Sequence, residues 1–107
     1  MRVMAGELIA IGPGKVALLE AMAQTGSITA AAKSLGMSYR RAWLLIAELN
    51  KALKEPAVAS ATGGQHGGGS QLTDTGRQLI ALYHGIEKQA QRACRDDIQK
   101  LLKLLAD

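Results

Sequence analysis

Ala31-Ala32-Lys33-Ser34-Leu35-Gly36-Met37-Ser38-Tyr39-Arg40-Arg41-Ala42 places two helix ends and the turn between them in one short stretch. Helices that cross closely need small residues where they touch, which Ala31 and Ala32 supply. The turn needs a residue at ease with positive φ, which Gly36 supplies, and an apolar plug, for which Met37 is placed. Ser38 can cap the second helix through its side-chain oxygen. Leu35, Ile46 and Leu49 are then expected to close a small core. The pattern is that of a helix-turn-helix; an ordinary helical hairpin with no ligand is the plainer reading.

Working outward, Ser27 is placed to cap the first of these helices and Gly26 to end the helix before it. That earlier helix, over 15–25, repeats Val16, Leu19, Met22 and Ala23 at helical spacing. The second helix of the pair runs from Tyr39 to Leu53, with Ala42, Ile46, Leu49 and Leu53 on one face, and Pro56 stops it. Residues 57–61 read as a strand and Gln71-Leu72 as its return, joined by the glycine-rich loop 62–70. Thr73 caps a last helix that is expected to reach about Leu105, some 45–50 Å if unbroken at about 1.5 Å per residue. At the other end, Val3-Met4 and Leu8–Ile11 read as one irregular edge strand before Gly12-Pro13-Gly14. The fold class expected is mainly α with a small β-hairpin, a winged helix-turn-helix with a long C-terminal dimerisation helix. The division expected is 1–72 for the winged helix-turn-helix domain, with its wing at about 57–72, and 73–107 for the long helix.

Composition excludes several function classes. Hydrophobic residues make up 48% and charged residues 21% of 107, the balance of a folded protein rather than a disordered one. The net charge of +4 suits an anionic partner without identifying one. A single cysteine, Cys94, precludes an internal disulfide and a multi-cysteine metal site. The start lacks the apolar run of a secretory signal, and no stretch approaches the ~20 apolar residues of a membrane span, so a cytoplasmic protein is expected. Neither Ser-His-Asp nor paired-carboxylate chemistry stands out, His84 and His66 are isolated, and no cofactor is implied. The chain reads as a non-enzyme.

The binding face follows from helical geometry. With Ala42, Ile46, Leu49 and Leu53 inward, the 100° step per residue turns Arg40, Arg41 and Leu44 outward. An arginine in the first turns of such a helix can hold guanine O6 and N7 with two hydrogen bonds, and an exposed leucine can meet a thymine methyl. Ser38 and Tyr39 are candidates for phosphate or base contacts, and Ser27, Thr29 and Lys33 for phosphates. Trp43 flanks the inward stripe and is expected in the core. Gly64–Ser70 lacks the lysine of a nucleotide-binding loop; as a wing tip it would approach a phosphate backbone, with Gln65 and His66 as its sizeable side chains.

The last helix carries Leu79, Leu82, Ile86, Ala90, Ala93, Ile98, Leu101, Leu102 and Leu105 along one side, and Cys94 is expected as a packed thiol among them. One small domain cannot cover so long a stripe, whereas a second copy can. Double-stranded DNA and a second copy of the chain are therefore the partners expected. A dimerising winged-helix module that binds no DNA is the alternative, against which Arg40-Arg41 counts.

Gly26-Ser27-Ile28, Ala31-Ala32, Ser38-Tyr39-Arg40-Arg41-Ala42-Trp43, Ala61-Thr62-Gly63-Gly64, Gly67-Gly68-Gly69 and Leu72-Thr73-Asp74-Thr75-Gly76 resemble the N-terminal domain of the ModE-type molybdate-responsive regulators. The match runs from about Ile11 to Ile86, and the helix-turn-helix is similar to the wider LysR type. The resemblance implies a winged-helix dimer held by its last helix, regulating molybdenum-related genes. Members of that family carry molybdate-binding domains after the DNA-binding part. The sequence here stops at Asp107, so no oxyanion site is carried over and molybdate binding by these residues is not expected.

Overall fold

A computed structural model describes residues 1–60 and 69–106. Two strands, β1 (Val3–Ala5) and β2 (Leu8–Ile11), open the chain and pair antiparallel about a turn at Gly6-Glu7. Three helices follow, α1 (Pro13–Thr25), α2 (Ile28–Ser34) and α3 (Tyr39–Ala52). β3 (Val58–Ser60) and β4 (Ser70–Leu72) form a second antiparallel ladder, with Val58 opposite Leu72, and α4 (Asp74–Ala93) and α5 (Arg95–Leu102) end the chain. This is a winged helix-turn-helix with C-terminal helices.

The single edge strand expected at the N-terminus is two strands. Ala5-Gly6 is not an interruption but the approach to a hairpin turn, and the ladder slips between Val3 and Met4. The last helix also differs from an unbroken run. Cys94, at φ −108° and ψ 19°, leaves helical geometry, and α5 starts afresh with Asp96 and Asp97 in its first turn, where carboxylates suit a helix N-terminus.

The core gathers Leu18, Leu19 and Met22 of α1, Ile28, Ala31 and Ala32 of α2, Ala42, Ile46 and Leu49 of α3, and Ala57 and Val58 at the wing. α1 is enclosed on more of its circumference than one stripe, since Leu18 and Ala21 are buried beside Val16, Leu19 and Met22, while Ala23 is exposed. Leu35 is exposed, contrary to expectation, because the chain departs from α2 at that residue and Met37 turns inward instead. Thr73 ties the wing to α4, its N donating to Ala57 O (3.0 Å) and its Oγ1 to Pro56 O (2.6 Å), and Arg77 Nη1 of α4 donates to Leu72 O of β4 (3.2 Å). Gly76 is buried beneath the Ala57 carbonyl, where any Cβ would be in collision.

Candidate nucleic-acid interface

Local chemistry sets the two crossing helices. Ser27 Oγ accepts from Ala30 N (3.0 Å) and Ser38 Oγ from Arg41 N (3.1 Å), so each helix begins on a hydroxyl that satisfies one of its free amide groups. Between them Gly36 takes φ 67°, a left-handed conformation that costs other residues about 1 kcal/mol or more, and Met37 N returns to Ala32 O (3.0 Å). Ala31 and Ala42 are fully buried at the crossing.

With Ala42, Ile46 and Leu49 inward, Arg40 and Leu44 stand on the opposite side of α3, and Leu44 is 56% exposed. Arg41 is exposed on a flank, where it lines a groove with Leu45 and Glu48 of α3 and Arg2 and Ile9 of the N-terminal hairpin. The other flank carries Tyr39 and Trp43, stacked edge to face with ring centroids 6.1 Å apart. Trp43 was expected in the core and is not: it is 37% exposed, because that flank is left open. An exposed aromatic pair therefore stands beside the outward Arg40, with Tyr39 outward as expected and Trp43 misassigned by periodicity alone. Thr29 and Lys33 are exposed on α2, Ser27 is half-buried at its cap, and Ser38 is exposed. Gln65 and His66 lie outside the described residues.

Asn50 is a residue the sequence reading passed over. Its Nδ2 donates to Val58 O (2.9 Å), and its Oδ1 accepts from Ala57 N (2.9 Å) and Val58 N (3.4 Å). One amide side chain on α3 thus stands in for a strand partner of β3 and fixes the wing against the helix.

Away from α3, the apolar side of the C-terminal helices is bare. Leu82 is 57% and Ile86 50% exposed; Leu101, Leu102 and Leu105 are exposed beyond them, as are Ala90 and Ala93, while Leu79 and Ile98 are half-buried. Cys94, expected as a packed thiol, is an exposed one at the break between α4 and α5. Met1, Val3, Ile11, Leu79, Leu82 and Ile86 border an open groove of about 310 Å³ on this side. His84 is not isolated: Nε2 lies 2.6 Å from Glu20 Oε1 on α1. Among the described residues no group of His, Cys, Asp and Glu side chains is placed to hold a metal, and no helix is long and apolar enough to cross a membrane.

Comparison with known proteins agrees with this geometry. Residues 14–77 match the family of bacterial regulatory helix-turn-helix proteins of the lysR type. The chain is 43% identical over 84 residues to a molybdenum transport protein ModE of Azotobacter vinelandii, covering 78% of this chain and 31% of that one. It is 48% identical over 77 residues to the molybdenum-pterin-binding protein MopB of Rhodobacter capsulatus, covering 72% and 28%. To the DNA-binding transcriptional dual regulator ModE of Escherichia coli (strain K12) it is 41% identical over 98 residues, covering 88% and 37%. The chain thus spans about a third of the length of the curated relatives it matches. The matched segment includes α2, α3, the wing and the start of α4, and the chain belongs to the bacterial regulatory helix-turn-helix proteins of the lysR family.

Proposed function

We propose that this chain is the DNA-binding part of a regulator of molybdenum-related genes, acting as a homodimer on an inverted repeat. One observation carries the DNA reading: the exposed side of α3 presents Arg40, Arg41 and Leu44 together with the Tyr39–Trp43 pair, beside a helix-turn-helix turn of the family's type. Ser27, Thr29 and Lys33 on α2 would take phosphates and fix the register, Ser38 and Tyr39 would support the first turn of α3, and the wing with Gln65 and His66 would follow the backbone. The molybdenum link is supported by the names of the relatives. The dimer is supported by the largely exposed stripe from Leu82 to Leu105, an apolar surface of the kind that marks an interface. Two-fold pairing through residues 73–107 would set two copies of the 1–72 unit on half-sites about one helical turn, or a multiple of it, apart.

The test is an operator selected from random duplexes, followed by titration of wild type, Arg40→Ala and Arg41→Ala. Each loss should cost about 1–3 kcal/mol of discrimination if the residue reads a base, with melting unchanged. A selected set without inverted symmetry would refute the dimeric arrangement, and wild-type affinity in both variants would refute the assignment of α3.

A further inference from the structure

Lys15 is the charged residue buried most completely among those described, at 6% exposure. It leaves the first turn of α1, donates from Nζ to the Ile9 carbonyl of β2, and lies 3.3 Å from Glu48 Oε2 on α3. A buried ammonium persists only when it is paired, which accounts for the lysine. The same contact has a second effect, on the glutamate. Glu48 follows Arg41 by seven residues, and two helical turns return to nearly the same flank. Both residues line the groove between α3 and the N-terminal hairpin. Seven residues rise by about 10.5 Å, a span that an extended arginine and glutamate can close between them. Among the described residues Glu48 is nonetheless paired with Lys15, and Arg41 is in no ion pair.

From this we infer that Lys15 is a positioning residue for DNA recognition: by holding the Glu48 carboxylate it keeps that charge off Arg41 and leaves the guanidinium for DNA. The inference rests on the reading of Arg41 as a DNA contact. Without Lys15, the freed carboxylate shares its groove with Arg41 and Arg2 and has Lys51 three residues on, and of these it is pairing with Arg41 that would neutralise a cation where phosphates approach. A purely structural Lys15–Glu48 pair makes a different demand, because its loss would not interact with Arg41.

The experiment measures affinity for the selected operator, with melting curves, for wild type, R41A, K15M, K15M/R41A, K15M/E48Q and E48Q. R41A and K15M should each weaken binding about ten-fold, within the range expected of one base-reading arginine. R41A should add less than about two-fold once Lys15 is gone, and K15M/E48Q should recover to within about three-fold of wild type. Folded K15M at wild-type affinity, or K15M/E48Q as weak as K15M, overturns the inference. R41A at wild-type affinity removes the DNA-contact reading itself and the inference with it. Should K15M not fold, E48Q alone carries the test. Removing the competitor should leave binding as tight as wild type or tighter, and a loss of affinity in folded E48Q overturns the inference.

Discussion

Replacing Gly76 with alanine should destabilise the protein by about 2 kcal/mol, against the usual trend for a glycine in a helix. Alanine ordinarily gains about 0.5–1 kcal/mol at such a position, because glycine surrenders more backbone freedom on folding. At Gly76 that gain meets a wall. The added Cβ would sit well inside contact distance of the Ala57 carbonyl oxygen, 3.2 Å from the Ala57 carbonyl carbon and 3.0 Å from Leu72 Cδ2. The leucine can rotate away, but the carbonyl is held by the Thr73 amide at 3.0 Å and cannot move without parting the wing from α4. Overpacking against backbone costs about 1–3 kcal/mol and occasionally more, so the clash outweighs the propensity gain. At about 4–8 °C per kcal/mol for a domain of this size, Tm should fall by roughly 10 °C. Gly85 is the internal control: it is also in α4, and nothing lies within 4 Å of its added Cβ. Gly85→Ala should therefore raise stability by about 0.5–1 kcal/mol in the same denaturation assay. A G76A protein melting at or above wild type would refute the reasoning from close approach.

Three further outcomes are expected. Asn50→Leu leaves the Ala57 amide and the Val58 carbonyl without their side-chain partner, which at about 1–3 kcal/mol per group should cost roughly 3 kcal/mol in urea unfolding; a change below 0.5 kcal/mol, on the order of an ordinary surface substitution, would show that water replaces the amide without penalty. Ile86→Glu places a charge in the exposed apolar stripe, so sedimentation should show monomers where wild type is dimeric, with operator affinity falling by more than one contact's worth; a dimer that survives the change places the interface elsewhere. Tyr83 donates to Met1 O at 2.7 Å, and burial first, then the Glu87 charge and hydrogen bond, raise its pKa above the ordinary 10.0. The folded state keeps a proton that the unfolded chain releases near pH 10, so this contribution is full below that pH and falls as pH rises through the folded pKa. Stability of Tyr83→Phe should decline less steeply above pH 10 than that of wild type, and parallel curves would exclude the tyrosine as the cause.

The helix-turn-helix was legible because its determinants are local. Ser27, Ser38 and Thr73 each accept from the amide three residues on, as capping chemistry requires, and Gly36 takes the one positive φ the turn needs. What sequence could not supply was the identity of the covered flank. Ala42, Ile46 and Leu49 define the inward line of α3 but leave Trp43 on one side of it and Leu45 on the other. The N-terminal hairpin lies along the Leu45 side, so the tryptophan stays open to solvent. Lys15 was illegible for the same reason: its partners come from β2 and from a glutamate 33 positions away, neither of which any spacing rule connects to it. The Cys94 break has a local mark in Asp97, a carboxylate beside Ile98 on the apolar side, which belongs to the first turn of a new helix rather than to the last turns of a long one.

The Asn50 contacts join the helix that would read bases to the wing that would follow the backbone, and they do so with a neutral amide. Attraction to phosphate weakens steeply with ionic strength because each released counterion gains less entropy in concentrated salt, whereas an amide hydrogen bond to backbone scarcely responds to salt. The two reading elements should therefore keep one mutual distance from dilute buffer to conditions that strip the protein from DNA. A plot of log affinity against log salt would then have a constant slope. That slope would count the phosphates engaged, at about 0.9 per phosphate on duplex DNA, rather than record a gradual parting of helix and wing.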